Sequence, residues 1–179
     1  MRSYILERMK LVLVASLILL CLAPHVPAVS PAWRQATEKE LREAIPARAP
    51  VEKERIETEA RTASGVTDGQ GKFIAGAVLI TAGYAAEGKY SHFFITQVPI
   101  SINTMTLPPG EYVFGFKRVD DDSVEVKFYE AANGKLLGSV RANRDNKRGP
   151  IRSLLINPPV NGKANIQIGR FLFEYKLST

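Results

Sequence analysis

From Gly65 to the C-terminus turn signals recur at short intervals, and that spacing constrains the fold more than any other feature. Turn-forming clusters recur at Thr67–Gly71, Ala86–Lys89, Leu107–Gly110, Asp120–Asp122, Asn133-Gly134, Gly149-Pro150, Pro158-Pro159 and Asn161-Gly162. Each combines residues that favour reversal or left-handed backbone. Between them lie short runs rich in Val, Ile and aromatic residues, including all eight phenylalanines and five of the six tyrosines. Such composition suits pleated, half-buried strands. The fold expected is all-β: a single antiparallel β-sandwich of about eight strands, with a small closed barrel as the alternative. A short helical or disordered N-terminal segment precedes it.

Individual runs sharpen this picture. Phe73–Ala82 is almost continuously apolar with Gly76 inside it, as in a central strand that another backbone approaches closely. Val124, Val126 and Phe128 alternate with Glu125, Lys127 and Tyr129, the pattern of a strand with one wet face. Asn133-Gly134 predicts a tight type I′ turn into a strand at 135–142. Phe171, Phe173, Tyr175 and Leu177 repeat the alternation. The apolar parity changes between Ile168 and Phe171, which predicts a β-bulge at Gly169-Arg170.

The N-terminus has other physics. Arg2, Arg8 and Lys10 precede an apolar run from Leu11 to Leu22, and Val26-Pro27-Ala28 offers a small-residue cleavage site. This is a secretory signal over residues 1–28, because a run of about 12 apolar residues is short for a membrane span. Leu20 stands where a small residue precedes a lipid-modified cysteine, so cleavage and a secreted or periplasmic location are favoured over anchoring at Cys21. Cleavage lowers the net charge from +6 to +4 and removes the one cysteine. The mature chain then has neither a disulfide nor thiol chemistry.

Residues 29–64 read as a charged helical or flexible linker, leaving 65–179 as the β domain. Residues 33–64 hold seven basic side chains and seven glutamates, with no Phe or Tyr. Thr37-Glu38-Lys39-Glu40 forms a capping box for a short helix ended by Pro46. A second helix is expected from Val51 to about Thr62, with a thin apolar stripe of Val51 and Ile56. It is a solvated linker or a helix that folds on a partner.

The chemical inventory is sparse. His92 is the only histidine of the mature chain, and its neighbours Tyr90, Phe93 and Phe94 make it a packing residue in a strand. No Gly-x-Ser-x-Gly elbow accompanies it. Asp120, Asp121 and Asp122 lack calcium-loop spacing and read as a solvated hairpin tip. Glu111, Glu125, Glu130 and Glu174 lie in or near strands without any pairing that a glycosidase needs. Arg141, Arg144, Lys147, Arg148 and Arg152 cluster in sequence as a candidate anion-binding patch. No aromatic residue is interleaved to stack nucleic-acid bases. No catalytic, cofactor or metal site is expected, and the chain is read as non-enzymatic.

The segment Thr106-Leu107-Pro108-Pro109-Gly110-Glu111-Tyr112-Val113-Phe114 resembles the Leu-x-Pro-Gly-x-Tyr strand start of carboxypeptidase-regulatory-like, or prealbumin-like, β-sandwich modules. The likeness covers fewer than a dozen residues. It implies a sandwich without an active site. Two functions follow as expectations. One is an exported, non-catalytic module that binds or scaffolds at the cell envelope, with an envelope protein or an acidic polysaccharide as partner. The other is a lipocalin-like barrel carrying a small apolar ligand.

Overall fold

The computed structural model describes residues 32–146 and 149–178; the predicted signal segment lies outside them. In chain order the elements are β1 (Arg34–Gln35), α1 (Glu38–Ala44), β2 (Arg48–Val51), β3 (Glu54–Thr67), β4 (Phe73–Leu79), α2 (Gly83–Ala86) and β5 (His92–Thr96). There follow β6 (Ile100–Ile102), β7 (Met105–Leu107), β8 (Gly110–Asp120), β9 (Ser123–Glu130), β10 (Leu136–Arg144), β11 (Arg152–Ile156), β12 (Lys163–Gly169) and β13 (Phe171–Leu177). The chain is all-β and antiparallel, as its turn spacing demands. The eight-strand sandwich is not what forms. Thirteen strands join one strongly curled sheet, a half-barrel, in the order β1-β3-β4-β5-β8-β9-β10-β13-β12-β11. β2 flanks β3, and the β6–β7 hairpin attaches to β13.

The concave side holds the larger core. Phe94, Phe114, Phe128 and Phe173 interlock there with ring centroids 5.0–6.4 Å apart, mostly edge to face. Ile100, Ile102, Leu107, Ile156, Ile166 and Tyr175 complete the filling, all fully buried. Tyr112 enters this core just after the Pro-Pro-Gly turn and donates its hydroxyl to the Pro108 carbonyl at 2.6 Å. That bond pins the turn to the strand it starts.

A second core lies on the convex side, and it corrects the linker reading. Residues 33–64 belong to the same compact unit as the rest of the domain. The predicted capping box forms as expected, with the Thr37 hydroxyl accepting from Glu40 and the Glu40 carboxylate accepting from the Thr37 amide. Past Pro46, however, the expected second helix is strand: β2 and β3 pair from Arg48↔Glu57 to Val51↔Glu54. A boundary at residue 64 would cut β3, which continues to Thr67 against β4. Alternating charges that suit i,i+4 helical pairs suit an exposed strand edge equally, and the packing of Ile56 decides the outcome. Leu41, Ile45, Ala49, Val51 and Ile56 are buried with Ala75, Ala77, Leu79, Tyr90, Phe93 and Val113. The cover is also pinned by polar bonds. Tyr90 donates to Glu52 at 2.5 Å, and the Glu52 amide, at a left-handed φ of 54°, donates to the Ala131 carbonyl at 2.7 Å. Burial raises the Tyr90 hydroxyl's pKa, and the Glu52 carboxylate adds to the effect.

Two turns differ from expectation. Only Gly134 of Asn133-Gly134 has a positive φ, 69°, so the turn is not type I′. Instead the Gly134 amide bonds to Glu130, while the Asn133 carboxamide caps the Lys135 amide at 2.8 Å. At Gly169-Arg170 the chain reverses rather than bulges, because Ile168 pairs with Phe171. A two-residue hairpin puts the paired residues i and i+3 on one face, which is the parity change a bulge also makes. Gly169 takes φ 60° at the first turn position, where glycine is favoured.

The curl brings β11 over the inner face of β3, β4 and β5. No ladder joins it to them; two side chains bond to its backbone instead. Ser64 accepts from the Ile156 amide at 2.9 Å, and His92 Nε2 lies 3.3 Å from the Ser153 carbonyl. Gly76 makes the approach feasible. A Cβ there would lie 2.6 Å from the Phe93 carbonyl oxygen and 3.2 Å from Leu154.

Candidate functional site

The convex face of β8, β9, β10, β13 and β12 lies beyond the N-terminal cover, and its side chains are polar. Lys117, Glu125 and Arg141 sit opposite one another across β8, β9 and β10. Glu174 and Lys176 alternate with buried Phe173 and Tyr175 along β13. The sheet forks on this face. β10 and β13 pair only at Asn143↔Leu172 and Arg144↔Phe171. Past that point β13 takes β6 as its neighbour, through Lys176↔Ser101 and Leu177↔Ile100. Glu174 falls between the two registers.

The fork opens a groove of about 360 Å³ lined by Ser101, Asn103, Val140, Arg141, Glu174 and Lys176. Val140 is its apolar floor. Asn103 stands at the tip of the β6–β7 hairpin with φ 55°, a conformation asparagine tolerates better than most residues. Lys176 lies 3.3 Å from Glu174, and Arg141 is ion-paired with Asp120. A floor with one apolar residue and walls of amide, hydroxyl and charged groups can hold a polar, hydrogen-bonding ligand.

The predicted anion patch and the Asp triplet, far apart in sequence, are partners. Pairing of β9 with β10 sets Asn143 opposite Ser123, so the basic end of β10 lies beside the β8–β9 hairpin tip. Arg141 pairs with Asp120, Arg144 lies 3.9 Å from Asp122, and Arg118 lies 3.2 Å from Asp121. The Ser123 hydroxyl, assisted by the Asp122 amide and Arg141, holds the Asp120 carboxyl below the usual aspartate range. Arg152 is exposed at the start of β11, opposite Gly169. Lys147 and Arg148 lie outside the described residues.

His92 is buried and packs as expected, stacked on Phe114 with ring centroids 4.6 Å apart. Its Nε2–H donates to Ser153, since a carbonyl can only accept, and Nδ1 therefore accepts from the Ser91 hydroxyl at 2.8 Å. Burial lowers its pKa to about 4, partly opposed by the Ser153 bond. Both ring nitrogens serve the seam under β11. The four glutamates singled out in the sequence do not converge on it. Glu125 and Glu174 bond to Lys127 and Lys176, and Glu130 accepts from Asn133. Among the described residues no three His, Cys, Asp or Glu side chains are grouped to hold a metal ion.

Of the groove residues, only Arg141 and Glu174 drew notice in the sequence, each for another reason. The fork depends on which distant strands pair, and no local pattern carries that. The nearest signal was the pair of short apolar pieces around Asn103, whose length of three residues marks an inserted hairpin.

These features define a class: a curled antiparallel β module with a covered half and a polar groove at the fork of its open half. No family model, curated protein or solved structure matches the chain. Among the described residues no helix is long and apolar enough to cross a membrane.

Proposed function

We propose that the chain is an exported, non-catalytic β module that binds or scaffolds at the cell envelope, and that the groove at the β10–β13 fork is its binding surface. The observation that carries this reading is the fork itself. A sheet that could pair β10 with β13 along their length parts instead and lines the gap with polar side chains. Export rests on the basic, apolar and small-residue sequence pattern of residues 1–28. The non-catalytic part is supported by His92, whose ring nitrogens are both used in packing. The interlocked phenylalanines of the concave core favour an outer ligand surface over an internal cavity of the lipocalin kind.

A photo-crosslinking amino acid at Lys176, in the groove, tests the reading in cells that export the protein. The control carries it at Glu57, exposed at the β2–β3 edge. Discrete adducts are expected from position 176 and not from 57. Absence of adducts at 176, or the same adducts at both positions, overturns the groove as binding surface.

A further inference from the structure

The open convex face has more positive charge than its own ion pairs use. Its cations are Lys117, Lys127, Arg141, Lys163 and Lys176. The acids beside them are Glu125, Glu174, Asp120 and Glu87, the last sharing a pocket with Lys117 and Lys127. Three ion pairs use three of these acids: Lys127 with Glu125, Lys176 with Glu174, and Arg141 with Asp120. Lys117 and Lys163 enter no ion pair among the described residues.

A second observation points the same way. Lys163 on β12 and Lys176 on β13 are directly opposite in the antiparallel register. Like charges in that position repel, and sheets generally place an opposite charge or a neutral residue there. Glu174 offsets Lys176, so the charge left at this pair for an anion to meet is that of Lys163. This lysine pair borders the groove, since Lys176 belongs to both.

We infer that this face takes a carboxylated polysaccharide, with its acidic groups over Lys163 beside Lys176 and hydroxyls in the groove. The inference rests on the groove being the binding surface, and adds the ligand's chemistry. Polysaccharide is favoured by what lies between the cations. Ser101 and Asn103 line the groove, and Asn165 pairs opposite Glu174 on the same face as the lysines. These neutral hydroxyl and amide groups suit a chain that alternates hydroxyls with carboxylates. None of the groove's lining residues is aromatic, so base stacking has no platform there. None of the exposed large hydrophobics lines the groove, and Val160, exposed beside Lys163, is a single apolar residue rather than the broad apolar face that lipid binding needs.

The test titrates the exported protein with polygalacturonate. An uncharged galactan, dextran sulfate and phosphatidylglycerol vesicles serve as the other arms. Saturable binding to polygalacturonate is expected, stronger than to any of the three, and weakening as salt rises. The double substitution Lys163→Gln/Lys176→Gln is expected to weaken it roughly tenfold, the effect of removing two close charge contacts. Its melting temperature should equal or exceed the parent's, because the opposed charges are gone, and this separates lost binding from lost folding. The inference is overturned by an absence of binding, by binding that the double variant leaves intact, or by equal or tighter binding to dextran sulfate or vesicles. If crosslinks form at position 176 while polygalacturonate fails, the groove stands as a binding surface and only its ligand class falls.

Discussion

The two halves of this sheet are made of the same kind of strand and live in different surroundings. β4 and β5 are buried on both faces. Ile74 and Phe94 point into the concave core, while Ala75, Ala77 and Phe93 lie under the N-terminal cover. β9 and β13 are buried on one face, and Glu125, Lys127, Glu174 and Lys176 meet water on the other. The sequences follow: Phe73–Leu79 is uniformly apolar, and Ser123–Glu130 alternates. A continuous apolar run therefore states that something covers the second face. Here the cover is the glutamate- and arginine-rich segment that composition alone assigns to a linker.

The largest expected effect comes from removing that cover. A chain beginning at Lys53 loses Leu41, Ile45 and Val51 from the convex core and uncovers Phe93, Leu79 and Tyr90. At about 1.5–3 kcal/mol for each large apolar side chain left in water, the loss approaches the whole stability of a domain. The shortened chain is expected to be insoluble or to lose dispersed amide resonances. A soluble, well-dispersed spectrum would return residues 33–52 to the status of a linker.

Next in size are neighbouring residues on single strands. On β5, Phe93→Ala and Phe94→Ala should each cost about 3–5 kcal/mol in chemical unfolding, since consecutive side chains enter different cores. On β9, Phe128→Ala should cost the same, while Lys127→Ala should stay within about 0.5 kcal/mol. A small cost at Phe93, or a large one at Lys127, would erase the distinction between the halves.

How much of this was legible in the sequence depended on the range of the interaction responsible. Turns, alternation and the Thr37–Glu40 capping box are set within a few residues, and they were readable. So was the close approach at Gly76, although not that Leu154 and the Phe93 carbonyl are what approach it. Ile56 could not be placed, because one apolar residue among charges satisfies helix and strand alike until β4 is beside it. The parity change at Gly169-Arg170 is visible in the sequence, but bulge and hairpin leave the same local mark and only the Ile168↔Phe171 pairing separates them. The groove residues come from β6, the β6–β7 turn, β10 and β13, and the neutralisation of Arg141 and Arg144 comes from a different hairpin. Both depend on register between strands, which single-residue patterns do not encode.

His92 sits where the halves meet, bonded to the strand that the open half folds back over the covered one. Its ordinary pKa of 6.5 in the unfolded chain falls to about 4 in the folded protein through burial. Below pH 6.5 the unfolded chain therefore takes up the proton first. The contribution of neutral His92 is complete above pH 6.5, declines as the pH drops toward 4, and then levels off because both states hold the proton. The shift corresponds to about 3 kcal/mol lost across that window. The carboxylates act at lower pH. Glu40, held at about 2 by Arg34 and the Thr37 cap, loses its contribution only as pH falls from 4.5 toward 2. Unfolding free energies between pH 7 and 4 should fall for the parent chain and stay nearly level for His92→Phe, which packs on Phe114 but cannot be protonated. The amides of Leu154 and Ile156 should lose exchange protection in the parent over the same window. Parallel curves for the two proteins would mean that the seam holds without His92, with Ser64 and the packing of Leu154 joining the halves.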